Sequence, residues 1–186
     1  MEDPLHTLLS ACRRGDSAAQ RSLYERYKSA LFAICLRYAR DRAEAQDFLQ
    51  DAFLIVFRDI VQYRGEGSLE GWLKKVTLRS ILQQLRRKHP LRFAQDYDAL
   101  PADPARVCMP DEEMNSAAIL RMVQHLPPGY RTVFNLRCME GFSYTEIAAE
   151  LQIAESSVRS QYTRACQQLR SLIERTLLED VNLSSG

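Results

Sequence analysis

No run of apolar residues in this chain approaches the roughly 18–20 that a membrane-spanning helix needs. The start, Met1-Glu2-Asp3-Pro4, is acidic and lacks the basic and apolar segments of a secretion signal. These two absences set cytoplasmic residence, without insertion into a membrane, as the expectation. Net charge is scarce as well: 25 Lys and Arg stand against 24 Asp and Glu, for a total of +1. Bulk charge therefore does not carry nucleic-acid binding, although local basic faces remain open. The five cysteines, Cys12, Cys35, Cys108, Cys138 and Cys166, never fall into C-x-x-C. That argues against a zinc finger and a disulfide framework and leaves reduced thiols as the expectation. His6, His89 and His125 have no carboxylate or cysteine at metal-ligand spacing, so neither metal nor cofactor is expected. Glycine and proline number seven each and both cluster, so the stretches between them are free to form long helices.

What is present is helical periodicity, in a length of 186 residues that allows one or two domains. Asp16 is placed to cap a helix whose apolar positions Leu23, Tyr27, Leu31, Ile34, Cys35 and Tyr38 recur at three and four. A second helix, Ala43–Ile60, carries a stripe of Ala45, Phe48, Leu49, Ala52, Phe53, Val56, Phe57 and Ile60. Its other face holds Glu44, Asp47, Gln50, Asp51 and Arg58. The loop Tyr63-Arg64-Gly65-Glu66-Gly67-Ser68 follows. A third helix then runs from about Leu69 to Lys88, and its apolar residues change face midway: Leu69, Trp72, Leu73 and Val76, then Leu78, Ile81, Leu82 and Leu85. Its charge is one-sided, with Lys74, Lys75, Arg79, Arg86, Arg87 and Lys88, and no acid lies between Gly71 and Gln95.

From Asp96 to Glu113 six acids face the single base Arg106, a net of −5, among Pro101, Pro104 and Pro110. This composition predicts an extended acidic linker between two domains. Beyond it, Ile119, Met122, Val123 and Leu126 fit a short helix stopped by Pro127-Pro128-Gly129. Tyr130, Val133, Phe134 and Arg137 begin another, ending near Gly141. Ser143-x-x-Glu146 is a capping box that opens a third, with Ile147, Ala148 and Leu151 inward. The last helix carries Val158, Tyr162, Ala165, Leu169 and Ile173. No strand-like alternation competes, so the fold class is all-α.

Three segments carry functional signals. Tyr144–Gln168 has helix-turn-helix spacing, with Ser156, Ser157, Arg159, Ser160, Thr163 and Arg164 expected outward on the second helix. Short polar groups and arginines suit base edges and phosphates in a major groove. The same hairpin also occurs in plain bundles. Tyr63–Lys88 combines cations with Tyr63 and Trp72 beside a glycine loop, a mixture that suits single-stranded DNA. Trp72 equally fits a core. The acidic outer face of Ala43–Ile60 suits a large docking partner or plain solvation, and periodicity does not separate the two.

Taken together, these segments resemble the extracytoplasmic-function class of bacterial RNA polymerase sigma factors. Leu23-Tyr24-Glu25-Arg26-Tyr27, Ala45-Gln46-Asp47-Phe48-Leu49-Gln50-Asp51-Ala52-Phe53, Tyr63–Ser68 and Gly71-Trp72-Leu73 are similar to that family's region two. Leu126-Pro127-Pro128-Gly129-Tyr130-Arg131, Gly141–Ala148 and Ser157-Val158-Arg159-Ser160 with Arg164-Ala165 are similar to its region four. The resemblance implies two helical domains, 1–95 and 116–180, joined by the acidic linker 96–115 and followed by a tail, 181–186. It implies that Asp47, Gln50, Asp51 and Phe53 dock on core RNA polymerase. Tyr63, Arg64, Gly65 and Ser68 would hold a flipped-out base of the minus-ten element, while Lys74, Lys75 and Arg79 would track the opening DNA. Ser157, Arg159, Ser160, Thr163 and Arg164 would read the minus-thirty-five element.

The partners so implied are core polymerase and promoter DNA, with the anti-sigma factor that often accompanies the family. The acidic linker would be repelled by DNA and lie in a basic channel of the polymerase. The chain would be no enzyme, but an initiation factor for a promoter set of a regulated stress or envelope response. It departs from the family pattern at Arg79, where an Asn is frequent, at Gln152, where the turn often has Gly, and at Ala154, where a capping Ser or Thr is common. A free-standing helix-turn-helix regulator with a sensory bundle is the second reading. An all-α enzyme is the third, without a His, Cys or carboxylate cluster to support it.

Overall fold

In the computed structural model of the chain, residues 4–88 and 116–183 are described, those at 116 and 177–183 by backbone alone. The linker expected over 96–115, with Cys108, and His89 lie outside them. Every described element is helical. The chain divides into two compact units, Met1–Gln84 and Leu85–Gly186.

The first unit is built from α1 (Pro4–Arg13), α2 (Ser17–Tyr38), α3 (Arg42–Asp59), a 3-10 turn (Ile60–Gln62) and most of α4 (Leu69–Lys88). The two long antiparallel partners α2 and α3 each start on an aspartate. Ala19 N–H donates to Asp16 Oδ1 at 2.7 Å, and Glu44 N–H donates to Asp41 Oδ1 at 2.8 Å. Each side chain satisfies a donor that the helix itself leaves open. The expected stripe of α2, from Leu23 to Tyr38, is buried throughout, and it meets Ala45, Phe48, Leu49, Ala52, Phe53 and Val56 of α3. Tyr24 and Phe53 hold the contact with ring centroids 4.7 Å apart, and Phe57 lies 5.7 Å from Phe53.

Helix α1 was not anticipated. It buries Leu9 and Cys12, and its apolar residues Leu5, Leu8, Leu9 and Cys12 do recur at three and four. On α4 the buried set is Leu69, Leu73, Thr77, Ser80, Ile81, Leu82 and Leu85. The hydroxyl residues Thr77 and Ser80 bridge the two apolar groups, so the buried surface is continuous where the apolar pattern is broken.

The second unit holds α5 (Ser116–His125), α6 (Pro128–Cys138), α7 (Tyr144–Leu151) and α8 (Glu155–Leu183). Pro128 at the first position of α6 and the capping box of α7 start these helices. In the box, Glu146 N–H donates to Ser143 Oγ at 3.2 Å and Ser143 N–H donates to Glu146 Oε2 at 2.7 Å. Helix α8 is the hub, packed against α5, α6 and α7. The turn before it passes through Gln152 at φ 58° and ψ 44°, a left-handed conformation that closes α7. Cys12, Cys35 and Cys138 are free, and burial pushes the Cys35 thiol up to about 12.

Candidate nucleic-acid interfaces

The loop between the 3-10 turn and α4 is tied down at its first residue. Tyr63 is buried; its N–H donates to Ile60 O at 3.3 Å and its hydroxyl donates to Gly67 O at 2.8 Å. Arg13, at the end of α1, donates through Nη2 to Tyr63 O at 2.6 Å. The Tyr63 ring lies 5.6 Å from that of Trp72, which is half-buried. Tyr63 is therefore a brace within the loop, not a ring offered to an unstacked base. Gly65 and Gly67 stand at φ 82° and 76°, and an added Cβ would meet nothing within 4 Å at either. Ser68 Oγ accepts from Gly71 N–H at 2.9 Å and starts α4.

Arg64, Gly65 and Ser68 are exposed on this braced loop, and Lys74, Lys75 and Arg79 are exposed on the helix it feeds. Lys74 pairs with Glu70 at 2.7 Å. An exposed loop with a run of cations behind it can follow a phosphate backbone while leaving bases accessible.

On α3, Asp47, Gln50 and Asp51 are exposed as expected, but Phe53 is 3% exposed and belongs to the core. Its ring is taken by Tyr24 and Phe57, and Phe53 reaches a partner only by leaving them. Sequence reasoning missed Leu54, 62% exposed. It lies three and four residues beyond Asp51 and Gln50, on the same helical face. A single leucine among polar residues is invisible to a search for stripes.

On α8 the outward expectation holds for Ser156 and Arg159, which are exposed, and in part for Arg164, which is half-buried. Ser157, Ser160 and Thr163 are buried instead, at 3%, 6% and 7% exposure. Three helices pack on α8, so it is covered over a wider arc than the single stripe of a hairpin. Small hydroxyl residues fit there: Thr163 Oγ1 donates to Arg159 O at 3.0 Å, so its hydroxyl proton is satisfied within the helix. Among the described residues no group of three or more His, Cys, Asp or Glu is placed to hold a metal. No described helix is long and apolar enough to cross a membrane.

Comparison with known proteins follows the same division. A family model described as Sigma-70 region 2 matches residues 23–90, and one described as Sigma-70, region 4 matches residues 116–169. The chain is 32% identical over 168 residues to the ECF RNA polymerase sigma factor SigE of Mycolicibacterium smegmatis; the match covers 87% of this chain and 65% of that protein. It is 29% identical over 185 residues to the RNA polymerase sigma-H factor of Pseudomonas aeruginosa, covering 92% and 95%. Among solved structures, the sigma factor RpoE of Bartonella quintana, solved with the anti-sigma factor NepR, shares the fold. Its TM-score is 0.50 at 21% identity, over 83% of this chain and 96% of that one.

Proposed function

The chain belongs to the sigma-70 family, in the extracytoplasmic-function class of RNA polymerase sigma factors, and from that premise we propose how its surfaces divide the work of promoter recognition. It is not an enzyme. It directs core polymerase to a specific promoter set, and the polymerase performs the chemistry. The domain limits we propose are 1–95 and 116–180, with 96–115 as linker. Work inside the cytoplasm, in a regulated stress or envelope response under an anti-sigma factor, completes the reading.

The observation that carries the division is that each unit presents its own exposed cations on a locally fixed scaffold. In the first, Arg64 and Ser68 project from a loop braced by Tyr63, and Lys74, Lys75 and Arg79 follow on α4. These residues take the minus-ten strand: cations track the backbone while the exposed loop, with Gly65, receives an unpaired base. Capture of that base offsets the stacking lost on opening. In the second, Arg159 reads a base edge at the minus-thirty-five element and Arg164 holds phosphate. Ser157, Ser160 and Thr163 reach a groove only from a state in which their face is bare. Asp47, Gln50 and Asp51, with Leu54 beside them, form the face toward polymerase; an apolar anchor within a polar rim suits such a contact. Phe53 supports that face from within.

With a net charge of +1, neither unit holds a promoter strongly by itself. The polymerase keeps both on one DNA at high effective concentration. In vitro transcription with core enzyme tests the reading. Arg159→Ala should lower promoter affinity about ten-fold or more, in line with ~1–3 kcal/mol for a bidentate base contact. Unchanged initiation from the same template would refute the assignment. Promoter binding by the free protein at physiological salt, undiminished without core enzyme, would favour a free-standing regulator.

A further inference from the structure

The first turn of α8 carries a network that the assignments above leave unused. Glu155 opens the helix, and its carboxylate is approached from two elements. Thr145 Oγ1 of α7 donates to it at 2.9 Å. Arg159 donates through Nη2 at 2.6 Å and Nε at 3.1 Å. The Arg159 guanidinium also lies over the Tyr144 ring, 4.5 Å from its centroid. Tyr144 is itself held: its ring meets Tyr162 edge-on at 5.8 Å, and Tyr162 stacks on Phe134 at 6.4 Å. Arg137 approaches the same ring at 5.0 Å while donating to Phe142 O at 3.0 Å.

The contacts of Arg159 with Glu155 and with the Tyr144 ring are weak as contributions to folding, because the guanidinium is exposed. Their convergence on one guanidinium has another effect. An exposed arginine samples many rotamers and loses that freedom when it docks on a base. An arginine already held by a carboxylate and a ring loses less, and meets the groove in fewer orientations. The carboxylate also repels phosphate, which penalises binding where no base contact repays it. Arg159 and then Thr145 hold the Glu155 carboxyl below its usual range, so it stays ionised near neutral pH.

We propose that Glu155 and Tyr144 are positioning residues for Arg159, holding its guanidinium in place at the leading turn of α8 and setting promoter discrimination rather than raw affinity. The inference rests on the reading of α8 as the recognition helix. Its test uses the full-length chain with core polymerase. Equilibrium binding is measured on a promoter duplex and on the same duplex with a scrambled upstream element, and the readout is the ratio of the two affinities.

Glu155→Gln should raise binding to the scrambled duplex about two-fold and lower the ratio about five-fold, through loss of one negative charge and of Arg159's anchor. Tyr144→Leu should lower the ratio about three-fold. Tyr144→Phe should match the parent, because the ring makes the contacts. Partial misfolding scales both affinities together and leaves the ratio untouched, so a structural role predicts no change in it. An unchanged ratio in Glu155→Gln and Tyr144→Leu, or a Tyr144→Phe variant as impaired as Tyr144→Leu, overturns the proposal. If Arg159→Ala itself leaves the ratio unchanged, the recognition-helix reading fails with it.

Discussion

Replacing Gln152 with glycine should stabilise the second unit. The residue sits at φ 58° and ψ 44°, closing α7 through its N–H to Ala148 O, while Ile153 N–H reaches the same oxygen at 3.1 Å. A side chain in this region places Cβ against the following carbonyl, at a cost of ~1–2 kcal/mol. Glycine removes that cost but has a looser unfolded chain, which takes back ~0.4–1 kcal/mol. The net gain is ~0.5–1 kcal/mol. Because Gln152 is exposed, little packing is lost with it. For a unit of this size ~1 kcal/mol corresponds to ~4–8 °C, so far-UV circular dichroism should show the glycine variant melting ~2–8 °C higher. Asparagine, which tolerates the left-handed region, should fall between. Alanine keeps the strain and should stay within ~0.5 kcal/mol of the parent. A glycine variant that melts at or below the parent refutes the reasoning. An alanine variant that gains as much as glycine shows that the side chain, not the dihedral, was at fault.

Asp51→Arg should weaken co-purification with core polymerase about ten-fold with an unchanged helical spectrum, as charge reversal inside a docking face does; undiminished capture would remove α3 from that role. Glu146 contributes a pH dependence of definite sign. The Ser143 N–H holds its folded-state pKa below the unfolded value, so its stabilising contribution is complete above the unfolded carboxylate range, near ~4.3, and is lost as pH falls through the lower folded value. Glu146→Gln should therefore flatten the acid limb of a melting-temperature profile. A limb as steep as the parent's would show that another carboxylate sets it.

Much of the helical framework was legible because its signals are local. Asp16, Ser143 and the Leu23–Tyr38 stripe work within one or two turns, and the structure uses each as its spacing implies. Most of what escaped depends on contacts across the fold. Helix α1 is the exception, since its Leu5, Leu8, Leu9 and Cys12 recur at three and four. Thr77, Ser80, Ser157, Ser160 and Thr163 are covered although their chemistry reads as surface; Thr163 satisfies its hydroxyl on the Arg159 carbonyl of its own helix, whereas the hydroxyls of Thr77 and Ser160 are buried without such a bond. Tyr63 read as a ring available to DNA; the carbonyl of Gly67, four residues on, turns it inward. Leu54 escaped for the opposite reason. The patterning that identifies a core discards an isolated apolar residue on a polar face, and that residue is what a protein interface needs. On the candidate helices the structure thus leaves Asp47, Gln50, Asp51 and Arg159 exposed and buries Phe53, Ser157, Ser160 and Thr163.

Gly65 and Gly67 fill no crevice, since open space surrounds the point where a Cβ would stand on each. What bars a side chain there is handedness. A D-amino acid takes a backbone of this sign without strain, so D-alanine at either site would stiffen the loop and leave its path intact. Evolution, restricted to one enantiomer, has only the achiral residue for that geometry and accepts the slackness that comes with it. The rigidity of this segment therefore comes from its neighbours: the guanidinium of Arg13 and the hydroxyl of Tyr63 supply the restraint that chirality supplies elsewhere along the chain.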